Sequence, residues 1–499
     1  MTKQEAVIKY IEDNYLQFRR LRHDVISDKL QLRVEVDRER TELSSLGNNT
    51  TQSYTTLHNT TPYLWREMTK NDINSIVCHC AQECDVNITS REVMTALQSD
   101  LIPDVNPLRE YVLSCREWTP DQPDWLDFVA SQVKVKNNDN TDNLRGNRTA
   151  KQIVRTKVRL ELPAALKENT PCRSRDVDSS GTLSKLSSNN NSSLTSNNNH
   201  SLSSPNNPAD RLWRACFKKW FVAMVASWMK DDVVNHQVLV LIGKQGIFKT
   251  TWLEHLIPPH LRAYACKLAN SNDLNKDERL RIAEFGLISL DEIDSMNNRE
   301  LNQLKSIITS TDVNERAAYA YSKERRVRLA SFCASGNRKD FLTDITGNRR
   351  WLPFEVESIQ NPFFTILPYD LMYAQAWALA NNSTFNYWFD LDEIETIEQH
   401  NQQFRDESNE EQLLDVYFAV PPTDATNAKF LTTAEISERL IYYGNIKRPM
   451  TLSRLGVLLS QKGFLSVRRG NPSRRGWIIY ERESQEVNSE RSILSKDLY

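Results

Sequence analysis

Residues 243–250 (GKQGIFKT) place two glycines, two lysines and a threonine between an apolar run and a helix-forming segment. The run VLVLI at 238–242 predicts a buried strand, and residues 251–256 predict the first turns of a helix. Glycines let successive backbone N–H groups curl around an anion, and a helix N-terminus adds a favourable dipole. The segment therefore predicts a phosphate-binding loop within an α/β fold.

The side chains of this loop predict ATP and Mg²⁺ as cofactors. Lys249 supplies a positive charge for phosphate oxygens, and the Thr250 hydroxyl is a suitable Mg²⁺ ligand. Phe248 departs from the usual G-x-x-x-x-G-K-[ST] pattern, because it stands where glycine is expected, and an additional glycine occurs at Gly246. The predicted nucleotide-binding residues are Gly243, Lys244, Gln245, Gly246, Ile247, Phe248, Lys249, Thr250 and Thr251.

Two further apolar runs end in polar side chains. Residues 285–290 predict a buried strand that ends at Asp291 and Glu292, which we expect to hold Mg²⁺ through water and to orient the attacking water, respectively. Residues 329–335 predict a strand followed by Asn337, a candidate sensor of the γ-phosphate. The simpler alternatives are a solvated strand end for the acidic pair and a turn cap for the asparagine.

Two arginines precede another apolar strand, at 351–354. A planar guanidinium suits the charge that develops on a transferred phosphate, so Arg349 or, by preference, Arg350 is the candidate arginine finger. The alternative is a surface salt bridge.

Length and composition set the broad organisation. The 499 residues predict roughly two to four domains. The net charge of −2 means that nucleic-acid affinity must come from local basic patches. No apolar run reaches the ~20 residues needed to span a bilayer, and the first residues do not form a signal peptide, so we expect a cytoplasmic protein. Cysteines at 78, 80 and 84 have poor spacing for one metal and predict reduced thiols.

Composition shifts divide the chain. We expect an N-terminal α+β or helical domain at 1–135, an Asn/Ser-rich, partly disordered linker at 136–208, an ATPase domain at 209–400 and a polar tail at 484–499. Residues 429–482 hold eleven Lys/Arg against three Asp/Glu, and two predicted helices precede a basic hairpin there. This order resembles a winged helix at 425–483, with Arg454, Arg468, Arg469, Arg474 and Arg475 as DNA-binding candidates. Protein docking is the alternative role.

The motif order G-K-Q-G-I-F-K-T, L-D-E-I-D, A-S-G-N and T-G-N-R-R-W-L-P resembles the virulence-associated E family. Its members are P-loop proteins of phages and mobile elements, similar to the superfamily 3 helicases of the AAA+ class. The resemblance implies an AAA+-type core with a parallel sheet, Lys249 and Thr250 at phosphate and Mg²⁺, Asp291 and Glu292 in the Walker B position, and Asn337 and Arg349 or Arg350 as sensor and finger.

Superfamily 3 motors also carry a DNA-gripping hairpin between Walker B and the sensor. The matching segment at 312–328 interleaves tyrosines with cations, a composition suited to stacking and to phosphate contacts. Its candidate contacts are Arg316, Tyr319, Lys323, Arg325 and Arg326. The alternative is a solvated charged hairpin.

The sequence thus predicts an ATP-driven DNA motor, a replicative helicase of a phage or mobile element that forms a hexameric ring with single-stranded DNA in its channel and duplex at the winged module. Two other hypotheses remain: a nucleotide-gated DNA-binding regulator in which Phe248 slows hydrolysis, and a defence NTPase that assembles on a protein partner.

Overall fold

The computed structural model describes residues 2–35, 63–136, 207–268, 281–315, 324–342, 348–421, 427–469, 473–483, 486–488 and 490. Segments Met1–Lys136 and Leu212–Tyr499 form one compact unit, and Asn137–Arg211 forms a second unit that lies almost entirely outside the described residues. The expectations for the linker at 136–208, for most of the tail and for Arg316, Tyr319 and Lys323 therefore fall outside the described residues.

The first hundred residues build a small mixed sheet with helices packed against it. The sheet order is β3-β2-β1-β4, in which only the β1–β4 pair is parallel. Threonine capping boxes at Thr69 and Thr89 begin two of the helices, because each hydroxyl accepts from an N–H of the first turn. The elements are α1 (Lys3–Ile11, continued by a π-helical turn, Glu12–Leu16), β1 (Leu21–Asp24), β2 (Lys29–Glu35), β3 (Tyr63–Glu67), α2 (Lys70–Cys84), α3 (Ser90–Leu97) and β4 (Asp104–Val105).

A six-stranded sheet of order β5-β12-β6-β11-β8-β7 forms the centre of the molecule. All neighbouring pairs from β12 to β7 are parallel, and β5 is antiparallel to β12. Strand β6 is buried along its whole length, as expected of an apolar strand in a sheet covered on both faces. The α/β class is confirmed. The strands are β5 (Val133–Val135), β6 (Val238–Ile242), β7 (Ala265–Leu268), β8 (Leu287–Leu290), β11 (Ser331–Gly336) and β12 (Trp351–Ile359).

Helices surround this sheet. A separate two-stranded hairpin follows the helix Asn298–Thr309. In α6, Trp220 and Trp228 are fully buried and donate their indole N–H groups to the carbonyls of Phe332 and Gly286, both at 3.1 Å. The helices are α4 (Pro107–Ser114), α5 (Trp125–Ala130), α6 (Pro208–Met229), α7 (Lys249–His255), α8 (Asn298–Thr309), α9 (Tyr369–Ala380) and α10 (Leu391–Asn401). The hairpin is β9 (Asp312–Glu315) with β10 (Glu324–Val327), and short 3₁₀ helices occupy Pro259–Tyr264, Ile293–Ser295, Asn348–Arg350 and Gln402–Phe404.

The segment predicted as a single N-terminal domain contributes to two cores. Strand β5 pairs with β12, and the Trp213 indole donates to the carbonyl of Ala130 at 2.9 Å. Residues 107–136 therefore belong with the central sheet, because the buried Val133 and Val135 have their hydrogen-bonding partners there.

The C-terminal part has a core of its own. Two helices, α12 and α13, are followed by the β15–β16 hairpin, and β16 also pairs with β13 and β14. Leu414 and Phe418 lie in this core, so it begins before residue 425, the predicted boundary. The elements are α11 (Asn409–Tyr417), β13 (Phe418–Ala419), β14 (Lys429–Leu431), α12 (Thr433–Gly444), α13 (Leu452–Gln461), β15 (Leu465–Arg469) and β16 (Arg474–Glu481). Across the described part of the chain, no helix combines the length and apolar character needed to cross a membrane.

Candidate functional site

The loop at 243–250 connects the carboxyl end of β6 to the N-terminus of α7. Gly243 lies so close to β12 that an added Cβ would stand 2.7 Å from the carbonyl oxygen of Val356. Gly246 has a φ of +85°, a left-handed conformation that glycine adopts without steric cost. Both glycines are therefore required by the backbone path of the loop.

Phe248 adopts the conformation that glycine would supply at its position. Its φ of 68° and ψ of 19° are left-handed, and it is the N-cap residue of α7. The ring meets that of Phe363 edge-on, with centroids 6.4 Å apart. A bulky residue in this region is strained by about 1–3 kcal/mol. The substitution thus keeps the glycine-like backbone at a cost in free energy.

The ammonium group of Lys249 is buried at the mouth of the loop. It donates to the carbonyl oxygens of Gly243 and Lys244, both at 2.7 Å, and to Oδ1 of Asn337 at 3.2 Å. Burial lowers the pKa of Lys249, and the carboxylates of Asp294 and Asp291 oppose that shift. The structure thereby brings the predicted phosphate lysine together with the predicted sensor.

Three oxygen-bearing side chains converge beside this lysine. Oδ1 of Asp291 accepts from the Ser335 hydroxyl at 2.7 Å and from the Thr250 hydroxyl at 3.2 Å, and the two hydroxyl oxygens lie 2.9 Å apart. Burial tends to raise the pKa of Asp291, but hydrogen bonds from Lys267 and Ser335 hold it below the usual value. Thr250 and Asp291, the two residues predicted to serve Mg²⁺, therefore share one cluster of hard oxygen donors.

Three residues of this cluster were missed as site residues by the sequence reasoning. Lys267 on β7 places Nζ 2.8 Å from Oδ2 of Asp291, and Ser335 reaches Oδ1 from β11. Asp294 accepts the backbone N–H groups of Asn337 and Arg338 at 3.2 and 3.1 Å, so it fixes the turn that carries the sensor. Ser335 was recognisable, since it lies near the end of the predicted strand, two residues before Asn337; Lys267 has no comparable sequence signal.

Glu292 directly follows Asp291 in a strained conformation. Its φ of 53° and ψ of 48° are left-handed, and its side chain is exposed. Left-handed non-glycine residues are uncommon and concentrate at functional sites. Phe248 and Glu292 are two of the six such residues in the described chain, so the loop and the acidic turn both hold backbone strain.

Arg349 and Arg350 do not join this cluster. Register places Trp351 beside Val238 and Glu355 beside Ile242, so the arginines precede β12 at the sheet edge opposite the loop at 243–250. Arg350 precedes Trp351, so its backbone lies six residues, or about 20 Å at ~3.3 Å each, from the level of Gly243. Arg349 is exposed, whereas Arg350 is partly buried, and burial together with Arg349 lowers the pKa of Arg350. Neither arginine can reach the site of its own chain.

Three arginines of the predicted hairpin segment, at 325, 326 and 328, fall within the described residues. Arg326 is largely covered, and its guanidinium lies 3.6 Å from Asp28 and 3.8 Å from Glu284. The backbone of Arg325 lies in β10, but its side chain is outside the described structure. Arg328, at the hairpin base, is fully buried and donates to backbone carbonyls, including those of Ala330, Asn235 and Ile308. It therefore anchors the hairpin and does not face solvent.

The C-terminal arginines form an exposed cationic ladder. Arg468 is paired with Arg475 and Arg469 with Arg474 across the β15–β16 hairpin, and all four side chains are exposed. Like charges directly opposite each other destabilise a hairpin, and a bound anion would relieve that repulsion. Arg454 is exposed in the first turn of α13, where the Thr451 hydroxyl caps the helix.

Cys80 is buried, Cys78 is exposed and Cys84 is intermediate. Within the described ranges, no group of three His, Cys, Asp or Glu side chains has an arrangement that would hold a metal ion by itself.

Comparison with known proteins identifies one family. Residues 189–406 match the model of the virulence-associated protein E-like domain. Two structures titled as apo forms of the NrS-1 C-terminal region are similar to this chain at 10% identity. One covers 96% of this chain and 100% of its own, with a TM-score of 0.36, and the other 93% and 98%, with a TM-score of 0.39. No curated protein matches. The match at 189–406 confirms the family resemblance: this chain carries a virulence-associated protein E-like domain.

Proposed function

We propose that this protein is an ATP-hydrolysing DNA motor, a replicative helicase of a phage or mobile element. The observation that carries the proposal is the convergence of Lys249, Thr250, Asp291 and Asn337 at the carboxyl edge of one parallel sheet. Strand β11, which Asn337 directly follows, lies between the strand before the phosphate loop and the strand before the acidic pair. That order supports an AAA+-type core, as the family resemblance implies.

The residues present suit a nucleotide and Mg²⁺. The glycines at 243 and 246 allow the close approach to β12 and the left-handed turn that the loop backbone needs, and Lys249 offers a buried ammonium. Thr250 and Asp291 supply two hard oxygens, and Mg²⁺ commonly completes its octahedron with waters and phosphate oxygens. When bound, the metal would neutralise charge on the phosphates.

The side chains then have separable tasks. Lys249 would exchange its hydrogen bonds to the loop carbonyls for bonds to phosphate oxygens. Asn337, whose Oδ1 lies within hydrogen-bond distance of Lys249, would contact the terminal phosphate. Glu292 would accept a hydrogen bond from the attacking water and orient it. Positioning of this kind accounts for most of the catalysis in phosphoryl transfer.

A second copy of the chain completes the proposed site. Arg349 and Arg350 lie at the opposite sheet edge from their own phosphate loop, so either could act only on the nucleotide of a neighbouring subunit. A closed ring, expected to be hexameric, repeats that contact at every interface. This arrangement would stabilise transition-state charge in trans.

DNA would be held at two places. The order of two helices followed by a hairpin supports a winged-helix module, with α13 in the major groove and the arginine ladder of β15–β16 on phosphates. The β9–β10 hairpin would meet single-stranded DNA in the channel of the ring.

Four measurements test the proposal. Lys249→Ala should abolish ATP hydrolysis, and turnover equal to wild type would refute the assignment. Wild-type hydrolysis should rise when single-stranded DNA is added; tight ATP binding without such turnover would favour the nucleotide-gated regulator.

Sedimentation with a non-hydrolysed ATP analogue should show a hexamer. Weak DNA binding at every salt concentration would instead favour the NTPase that docks on a protein.

A further inference from the structure

The loop at 360–368, between β12 and α9, presents two exposed aromatic side chains, and one of them, Phe363, lies beside the phosphate loop. Phe363 is 58% exposed and Phe364 is 87% exposed. The ring of Phe363 meets those of Phe248 and His255 edge-on, with centroids 6.4 and 5.5 Å apart. This loop follows the carboxyl end of β12, the same sheet edge at which the phosphate loop lies.

Local hydrogen bonds fix the position of Phe363. The side-chain oxygen of Asn361 accepts from the N–H of Phe363 at 3.0 Å, and its carbonyl accepts from the N–H of Phe364 at 3.1 Å. Leu367 is buried at the end of the loop. A hydrogen-bonded turn therefore positions the ring of Phe363, and the rings of Phe248 and His255 pack against it.

The orientation of a bound nucleotide follows from the sheet order. Asn337 and Asp291 come from β11 and β8, which lie on one side of β6, so the terminal phosphate belongs on that side. Strand β12 lies on the other side of β6. The nucleoside end of the ligand must then extend away from β11, towards the residues that follow β12.

We propose that Phe363 is the stacking platform for the nucleobase of the bound nucleotide, and that Phe248 supports it from within the phosphate loop. The inference rests on the proposed function and adds the site for the base. Every base has a π-face, and purines offer the larger one, so the platform should favour purine over pyrimidine nucleotides. The cost of a left-handed phenylalanine at 248 is offset by this support.

Binding of two probes to the full-length chain separates base from phosphate recognition. Isothermal titration with ATP and with inorganic triphosphate is compared for wild type, Phe363→Ala and Phe363→Trp. We expect Phe363→Ala to weaken ATP binding about tenfold, within the range of single base–aromatic stacks, and to leave triphosphate binding unchanged. Phe363→Trp should restore ATP affinity.

Phe18→Ala is the matched control, because Phe18 is 52% exposed but lies in the N-terminal part of the chain, and it should leave both affinities unchanged. Unchanged ATP affinity in Phe363→Ala would overturn the platform, and so would an equal loss for ATP and triphosphate, since that pattern reports a distorted phosphate loop. Failure of the wild type to bind either probe would instead refute the proposed function itself, and the inference with it.

Discussion

The ammonium of Lys267 lies 2.8 Å from Oδ2 of Asp291, while Oδ1 of the same carboxylate accepts from Thr250 and Ser335. The hydrogen bond to Asp291 raises the pKa of Lys267. The carboxylate predicted to serve Mg²⁺ is thus already occupied by a cation from the neighbouring strand. A divalent ion that binds at Oδ2 must displace it.

Lys267→Met should therefore tighten divalent-metal binding. We expect a few-fold gain in affinity, because a partly exposed ion pair contributes up to about 1 kcal/mol. Electron paramagnetic resonance with Mn²⁺ and a bound nucleotide measures the affinity directly. Lys267→Arg keeps the charge and should behave as wild type. Weaker Mn²⁺ binding in the methionine variant would show that Lys267 assists the metal and does not compete with it.

Replacement of Phe248 should reveal the backbone strain at this position. Phe248→Gly and Phe248→Ala both remove the ring, but only glycine tolerates the left-handed conformation, so the glycine variant should be more stable by about 1 kcal/mol. Urea denaturation gives the difference in free energy of unfolding. Asp85 also has a left-handed conformation, but it caps the C-terminus of α2, far from Phe248 in the sequence. Asp85→Gly and Asp85→Ala therefore provide the matched pair. Equal stability of the two Phe248 variants would exclude strain there.

Arg328 and Arg326 lie two residues apart at the base of the hairpin but should differ in their contribution to stability. Arg328→Met removes several hydrogen bonds to buried carbonyls and should cost about 3 kcal/mol or more. Arg326→Met removes two long, partly exposed ion pairs, to Asp28 and Glu284, and should cost about 1 kcal/mol or less. Thermal and urea denaturation compare the two variants. Similar losses would contradict the anchoring role of Arg328.

The arginine ladder should determine the salt dependence of duplex DNA binding. Removal of Arg474 and Arg475 should weaken binding to unrelated sequences equally and reduce the slope of log K against log salt by about one for each phosphate that is no longer neutralised. Fluorescence anisotropy across a salt series measures the slope. Lys429 lies on the same sheet but is paired with Glu481 at 2.7 Å, so Lys429→Ala is the control and should change the slope little. An unchanged slope in the double variant would exclude the ladder from the DNA interface.

Stability should decrease with acidification because of His400. Burial lowers the pKa of His400, whose Nε2 lies 2.8 Å from the carbonyl of Pro353 and whose Nδ1 lies 3.1 Å from the amide nitrogen of Gln403. These partners suit a neutral ring. Between the unfolded pKa of about 6.5 and the lower folded value, the unfolded state binds more protons, so the free energy of unfolding falls as pH falls.

Urea denaturation from pH 7.5 to 5 tests this pH dependence. His400→Gln should make the stability less dependent on pH without abolishing the dependence, since burial also lowers the pKa values of His255 and His260. An identical profile for the variant and the wild type would show that His400 does not contribute.

Local patterns were sufficient to predict the elements that carry the site. The apolar runs before residues 243 and 291 form β6 and β8, because periodicity acts over a few neighbouring residues. The end of the N-terminal segment was not predictable in this way. Val133 and Val135 pair with β12, more than 200 residues further along the chain, and no local signal encodes such a pairing.

The sequence by itself predicted the loop at 243–250, the acidic pair and the virulence-associated protein E-like domain, since each depends on residues that are close together in the chain. Only the tertiary structure decided which of these residues meet. In the fold, Lys267 lies beside Asp291 and Phe363 lies beside Phe248. Arg350 lies at the sheet edge opposite the loop at 243–250. Strand order and register in a parallel sheet determine those distances, and they depend on long-range packing.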